Sequence, residues 1–254
     1  MPWYLVIIPG ILAGLVQGLT GFGPAIVLMV FLPSILPMAK AAGVAGMIPV
    51  ISVVMMAYHY RHYIKLKRIV WPFILYAVVA SSSIHLGGMM NVQISRVLLG
   101  CLLIALSLYF LFTHTSAQKK FPLWVAVIFV LISGFFSGLF GIGGPLMALY
   151  FLSLSDSKEE YMATVQSFFV FDMLFTSSFR IFNGIITLNE LPIILIGIVG
   201  AGVGTFVAGK LLDHMNLELV SKCIYIFIGL SGIYYFVSSL MSILLKLERF
   251  TIAF

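Results

Sequence analysis

Two stretches decide the fold: GLVQGLTGFGP at residues 14–24 and GFFSGLFGIGGP at residues 134–145. Gly14, Gly18, Gly21 and Gly23 of the first stand 120 residues before Gly134, Gly138, Gly141 and Gly143 of the second. Pro72 and Pro192 keep the same offset, and the register slips only further on, near Asp213 and His214. Self-similarity at a fixed offset marks a duplicated structural unit. The chain is therefore expected to hold two homologous halves, residues 1–119 and 120–254, divided near Lys119.

The rest of the chain says where these stretches lie. Of 254 residues, 62% are hydrophobic and 9% charged, whereas about a quarter of an ordinary soluble domain is charged. A soluble globular protein, a disordered chain and a disulfide scaffold are excluded. Uncharged runs cover 1–39, 41–60, 69–95, 97–118, 121–155, 191–209 and 223–245, and 161–179 is interrupted only by Asp172. Each reaches the roughly 17–25 residues that a helix needs to cross the bilayer core. The expected fold is an all-α polytopic membrane protein with about eight transmembrane helices, four to each half. Runs 1–39 and 121–155 exceed one straight span, so spans one and five should be broken or re-entrant. If they double back, the two halves become inverted rather than parallel.

Orientation follows from Lys and Arg. Arg61, Lys65, Lys67, Arg68, Lys119 and Lys120 mark two loops as cytoplasmic; Arg180, Lys246 and Arg249 join them, and the acidic loop 153–160 falls outside. Both termini are then cytoplasmic in a plasma-membrane protein, with no cleavable signal peptide ahead of Lys40. The net charge of +6 is accounted for by these short loops, which leaves nucleic-acid binding without support. Cys101 and Cys223 lack CxxC or Cys/His spacing and read as small buried residues, so no metal or other cofactor is implied. Trp71, Trp124, Tyr58 and Tyr63 fall near span ends, as an interfacial aromatic belt does.

GxxxG spacing lets two membrane helices approach closely. Close packing does not explain why each copy adds two or three further glycines and then Pro24 or Pro145. Such a run is poor helix interior, since each Gly costs up to about 1 kcal/mol relative to Ala and Pro about 3. The spacing predicts helices broken at Gly21–Gly23 and at Gly141–Gly144, with the prolines opening the resumed halves. The free N–H groups and positive dipole end of each resumed half would cradle an anion. Gln17, Thr20, Gly21, Gly23, Ser137, Gly141, Gly143 and Gly144 are the candidate substrate-binding residues.

Among other polar residues, Asp172 lies near the middle of the sixth span and is a candidate for proton coupling or gating, or a hydrogen-bonded structural acid. Arg180 lies eight residues later, about 12 Å along the helix and turned by about 80°, so direct pairing with Asp172 is not expected. Arg180 is instead a candidate anion ligand at the cytoplasmic mouth, or simply obeys the positive-inside bias. Gln166, Ser167 and Asn183 are weaker polar candidates, and His85 reads as a satisfied interior histidine.

The paired glycine elements, the two halves and the TVQS...R...NG run from Thr164 to Gly184 resemble the sulfite exporter TauE/SafE family of membrane transporters. The resemblance covers nearly the whole chain and implies transport of a sulfur-containing anion such as sulfite or an organosulfonate. GFGP in the first copy departs from a common third glycine. A secondary transporter using proton-coupled alternating access between two repeats is the leading expectation. The alternative is an anion channel, or an assembly factor without coupled transport. No Walker, HExxH or GxSxG sequence supports ATP drive or catalysis, so the protein is not read as an enzyme. The expected partners are a small anion and the lipid bilayer, with a homo-oligomer left open.

Overall fold

The structure, a computed structural model, describes residues 3–112, 122–211 and 217–252. In chain order the helices are α1 (Ile7–Thr20), α2 (Pro24–Phe31), α3 (Met38–Met47), α4 (Val50–His59), α5 (Leu66–Met89), α6 (Val92–Phe112), α7 (Leu123–Phe140), α8 (Gly144–Leu154), α9 (Lys158–Phe182), α10 (Leu191–Leu211) and α11 (Leu217–Ile252). No strand occurs among the described residues. Lys119, Lys120, Asp213 and His214 lie outside them.

Among the described residues, six helical stretches are long and apolar enough to cross a membrane: Met38–His59, Leu66–Met89, Val92–Phe112, Leu123–Phe140, Leu188–Lys210 and Ile224–Leu244. Helix α9 is 25 residues long but carries Glu159, Glu160, Asp172 and Arg180, and the first and fifth uncharged runs are each divided between two shorter arms. Many apolar side chains on these helices are exposed, among them Val54, Val78, Leu131 and Leu174. A protein surface in water rarely carries so much contiguous apolar area, whereas hydrocarbon solvates it. Trp71, Trp124, Tyr58 and Tyr63 are exposed as well, consistent with interfacial anchors. Contacts divide the chain into two units, Met1–Gly88 with Ser116–Met215 and Met89–Thr115 with Asn216–Phe254.

The smaller unit is the antiparallel pair α6 and α11. Gly100 meets Gly232 and Phe236, while Ser107 donates to the Tyr225 carbonyl at 2.7 Å and Phe110 stacks on Tyr225. Cys101, expected to be buried, is exposed on this hairpin, and the Cys223 side chain lies outside the described residues.

In the larger unit, α1 and α10 pack along a seam of small residues. Gly10 faces Gly197, Gly14 faces Ala201 and Gly18 faces Thr205 and Ala208, so the two helices run in the same direction. Gly134 and Gly138 of α7 meet Tyr76, Ala80 and Ile84 of α5 in the same parallel sense. Behind α7 and α8 the core is apolar and aromatic, with Phe168 at its centre between Tyr76 and Phe151, ring centroids 5.0 and 5.3 Å away.

Ion pairs identify the two ends of the unit. Glu160, 7% exposed at the start of α9, pairs with Lys65 at 2.9 Å and with Arg68, which also donates to the Leu154 carbonyl. Lys40 pairs with Glu190 at 2.5 Å, and Glu190 closes a capping box with Thr187. The Arg61 end thus holds the starts of α5 and α9, and the Lys40 end holds the starts of α3 and α10.

This corrects the expected orientation. Residues 153–160, expected opposite residues 61–68, lie at the same end and are bonded to them through Glu160. Arg180, expected beside residues 61–68, is at the Lys40 end, where it reaches the Ala39 carbonyl. The start of α1, parallel to α10, is also at the Lys40 end, so the N-terminal helix and the 61–68 loop do not begin on one face. The cause is that both long runs double back, at Gly21–Gly23 and at Gly141–Gly143: each is an arm inward and an arm back rather than one crossing.

The α1–α10 seam yields a test. A methyl at Gly14 would be driven into the Ala201 backbone, whereas one at Gly202 would meet nothing within 4 Å. Gly14→Ala is expected to lower the thermal unfolding midpoint in detergent by several degrees. Gly202→Ala should leave it unchanged or raise it, because Ala exceeds Gly by about 1 kcal/mol in a helix.

Candidate functional site

Both glycine stretches break their helices at the expected residues. α1 ends on Gly21 with φ 79°, and α7 ends on Gly141 with φ 71°, a left-handed conformation that a side chain disfavours. Pro24 and Pro145 then sit in the first two positions of α2 and α8, where a missing N–H is harmless. At the second break the chain folds back along α7, because Ser133 donates to the Gly143 carbonyl ten residues ahead at 2.9 Å. The breaks face each other: a Cβ on Gly144 would lie 3.8 Å from the Gly23 nitrogen.

Between them lies a cavity of about 60 Å³, room for a few waters or one small oxyanion. Its walls include Gln17, Gly23, Pro24 and Ala25 from the first break and Ser137, Gly141, Gly144 and Pro145 from the second. The N-termini of α2 and α8 therefore both open onto it with their positive dipole ends. Its ionisable lining residues are Asp172 and Arg180.

Of the residues proposed from sequence, the structure brings Gln17, Gly23, Ser137, Gly141, Gly144, Asp172 and Arg180 to this cavity. Thr20, Gly21 and Gly143 do not line it. The Thr20 hydroxyl is engaged in stitching the break, 2.8 Å from the Val16 carbonyl and 2.6 Å from that of Phe22, while accepting from the Phe22 N–H. Gly143 packs against the Tyr76 hydroxyl, and a Cβ there would lie 2.9 Å from that of Ser137. Thr20 and Gly21 instead line a second, wider opening of about 710 Å³ at the Arg61 end, together with Met56, His59, Arg61, Lys158 and Met162.

Arg180 is not a solvated residue at a mouth; it is 2% exposed. Its guanidinium donates to the Ser137 carbonyl at 3.1 Å, the Gly138 carbonyl at 2.7 Å and the Ala39 carbonyl at 3.3 Å. The last carbonyls of a helix have no intrahelical partner, and a cation complements the negative end of its dipole. Arg180 therefore caps α7 from outside while keeping a place in the cavity wall. Asp172 accepts from the Ser137 hydroxyl at 3.4 Å and forms no ion pair with Arg180 among the described residues, as their spacing on α9 implies. His85, expected inside, is exposed on α5 with its ring edge-to-face on Phe179.

Two faces of the cavity were hidden in the sequence. Ala42, Gly46, Pro49 and Val53 line it from α3 and α4, and Phe169, Met173 and Thr176 from α9. Each set recurs at intervals of three or four, one helical face. The small residues of AKAAGVAG at 39–46 were the available signal, but small residues also serve plain helix packing.

Paired half-helices meeting at a buried polar cavity inside an apolar helical bundle define a multi-pass membrane protein of transporter type. The family model for sulfite exporter TauE/SafE matches residues 6–235, and the chain belongs to that family, one of membrane transporters. Neither curated proteins nor solved structures gave a match.

The breaks differ in how tightly they are held. A Cβ on Gly141 would lie 2.8 Å from the Ala42 carbonyl oxygen, whereas one on Gly21 would meet the flexible end of Met162 at 3.2 Å. Both substitutions carry the left-handed penalty of about 1–2 kcal/mol. Unfolding midpoints of the purified proteins are expected to fall in the order wild type, Gly21→Ala, Gly141→Ala.

Proposed function

We propose that the protein is a secondary transporter that moves a small anion, of the sulfite or organosulfonate kind, by alternating access between two duplicated halves. The observation that carries this is the single cavity onto which both broken helices open their N-termini, with Arg180 and Asp172 in its wall. Fixed N–H groups and a buried guanidinium favour oxyanions, and the limited space favours a compact one such as sulfite.

Duplication is supported by contacts that exchange under the 120-residue offset. Gly21 lies against Met162 and Gln166, and Gly141 lies against Ala42 and Gly46. Since α1 parallels α10 and α7 parallels α5, α1 and α7 run in opposite directions, which favours inverted repeats. Inverted repeats around a central site are the usual architecture for alternating access. The Arg61 end carries Lys65, Lys67, Arg68 and Lys158 and is assigned to the cytoplasm by the positive-inside rule.

Proton coupling is assigned to Asp172, a carboxyl group in the cavity wall at the depth of the breaks. Uptake of sulfite, sulfate, thiosulfate, sulfonates and carboxylates into proteoliposomes, followed by solid-supported-membrane currents, tests the assignment. Flux of a sulfur oxyanion that saturates and follows the proton gradient is expected. Unsaturable current would instead indicate a channel, and no flux of any anion would indicate an assembly role. Gly21→Val and Gly141→Val should abolish flux while protein remains in the membrane; wild-type flux in both would remove the broken-helix site. Asp172→Asn should retain anion exchange and lose dependence on the proton gradient. An unchanged pH profile in that variant would reduce Asp172 to a structural acid.

A further inference from the structure

The two openings described above are separated by a thin layer whose composition is visible along α9. Lys158 and Met162 wall the opening at the Arg61 end, Phe169 and Asp172 wall the central cavity, and Gln166 between them walls neither. From Met162 to Phe169 is seven residues, about 10 Å of helix rise. α4 repeats the pattern, with Met56 on the outer side and Val53 on the inner. At the first break, Gly21 belongs to the outer opening and Gln17 with Gly23 to the cavity.

Three groups hold this layer together. Gln166 Nε2 donates to the Gly21 carbonyl at 2.6 Å, and Gln17 Nε2 donates to Gln166 Oε1 at 3.0 Å and to the same carbonyl at 3.3 Å. Both glutamine side chains are wholly buried. The Gly21 carbonyl is one of the unpaired groups that the break exposes, so two amides tie the tip of the α1 arm to α9. The joint is incomplete: Gln17 Oε1 is buried with no hydrogen-bond partner. An unsatisfied buried acceptor raises the energy of the closed arrangement and eases its exchange for one in which water or another donor reaches that oxygen. Met56 and Met162, the other parts of the layer, are unbranched and readily repacked.

We propose that Gln17, Gln166 and the Gly21 carbonyl form a latch that closes the central cavity from the opening at the Arg61 end, and that this opening is the access path for the anion. The latch rests on the transporter reading, and it adds Gln166 as a gating residue to a site otherwise formed by the breaks. Arg61 and Lys158 around the outer opening make it attractive to anions.

Thiol labelling tests the latch without any substrate. In a Cys101→Ser, Cys223→Ser background, Ala25→Cys places a thiol in the cavity wall, and Arg61→Cys in a parallel protein reports which membrane face bears the outer opening. The probe is the small anion 2-sulfonatoethyl methanethiosulfonate, applied to one face of reconstituted vesicles at a time. Gln166→Met, which keeps the volume and removes the amide, is expected to speed labelling of Ala25→Cys about tenfold from the face on which Arg61→Cys reacts. An unchanged rate, or acceleration from the opposite face, overturns the latch. An unaltered Arg61→Cys labelling rate in the Gln166→Met background shows that the fold is retained. If that variant does not fold, Gln17→Met removes the bond to Gln166 Oε1 but leaves that from Gln166 to the Gly21 carbonyl, and must give a smaller acceleration from the same face. Failure of every anion to be transported would overturn the transporter reading while leaving the labelling outcome to decide the latch.

Discussion

A helix that stops inside an apolar layer leaves its last carbonyls, and the first N–H groups of the next helix, without partners or water. That constraint shapes the larger unit. Two helices stop in this way, at Gly21 and at Gly141, and the surrounding structure must supply hydrogen bonds to both ends. The ends are answered differently. At the second break a buried guanidinium takes the carbonyls of Ser137 and Gly138; at the first, two neutral amides share the carbonyl of Gly21.

The difference has mechanical consequences. Hydrogen bonds to a charged donor are stronger than those to a neutral one, and removing a buried charge from its partners is costly. Gly141 is moreover pressed against the Ala42 backbone, whereas Gly21 meets a methionine end. The α7 tip is thus held more tightly than the α1 tip. Under the alternating access proposed above, two arms with unequal restraints at a shared cavity would make the cost of opening differ between the two sides.

Much of the local structure was legible in sequence. Gly21 and Gly141 could be placed because a left-handed turn excludes most side chains, and Pro24 and Pro145 because a helix tolerates proline only at its start. Orientation was not legible. Counting 121–155 as one crossing reversed the side of residues 153–160 and of Arg180, since hydrophobic length does not distinguish one long path from two short ones. Arg180 shows the same limit: its charge was plain, but a neighbouring helix end 42 and 43 residues away in sequence decided what the charge is for.

What the sequence by itself determined is the set of properties that depend on composition and local spacing: an apolar helical chain, two glycine breaks, and the few polar groups available to serve them. What only the tertiary structure decided is which of those groups meet. Gln17 and Gln166, 149 residues apart, share one carbonyl, while Thr20, beside the break, bonds to the backbone on either side of it at Val16 and Phe22. The physical reason is that a backbone break specifies a need for hydrogen bonds but not their source. The source depends on which helix packs against the broken end, and that is fixed by side-chain packing over the whole unit.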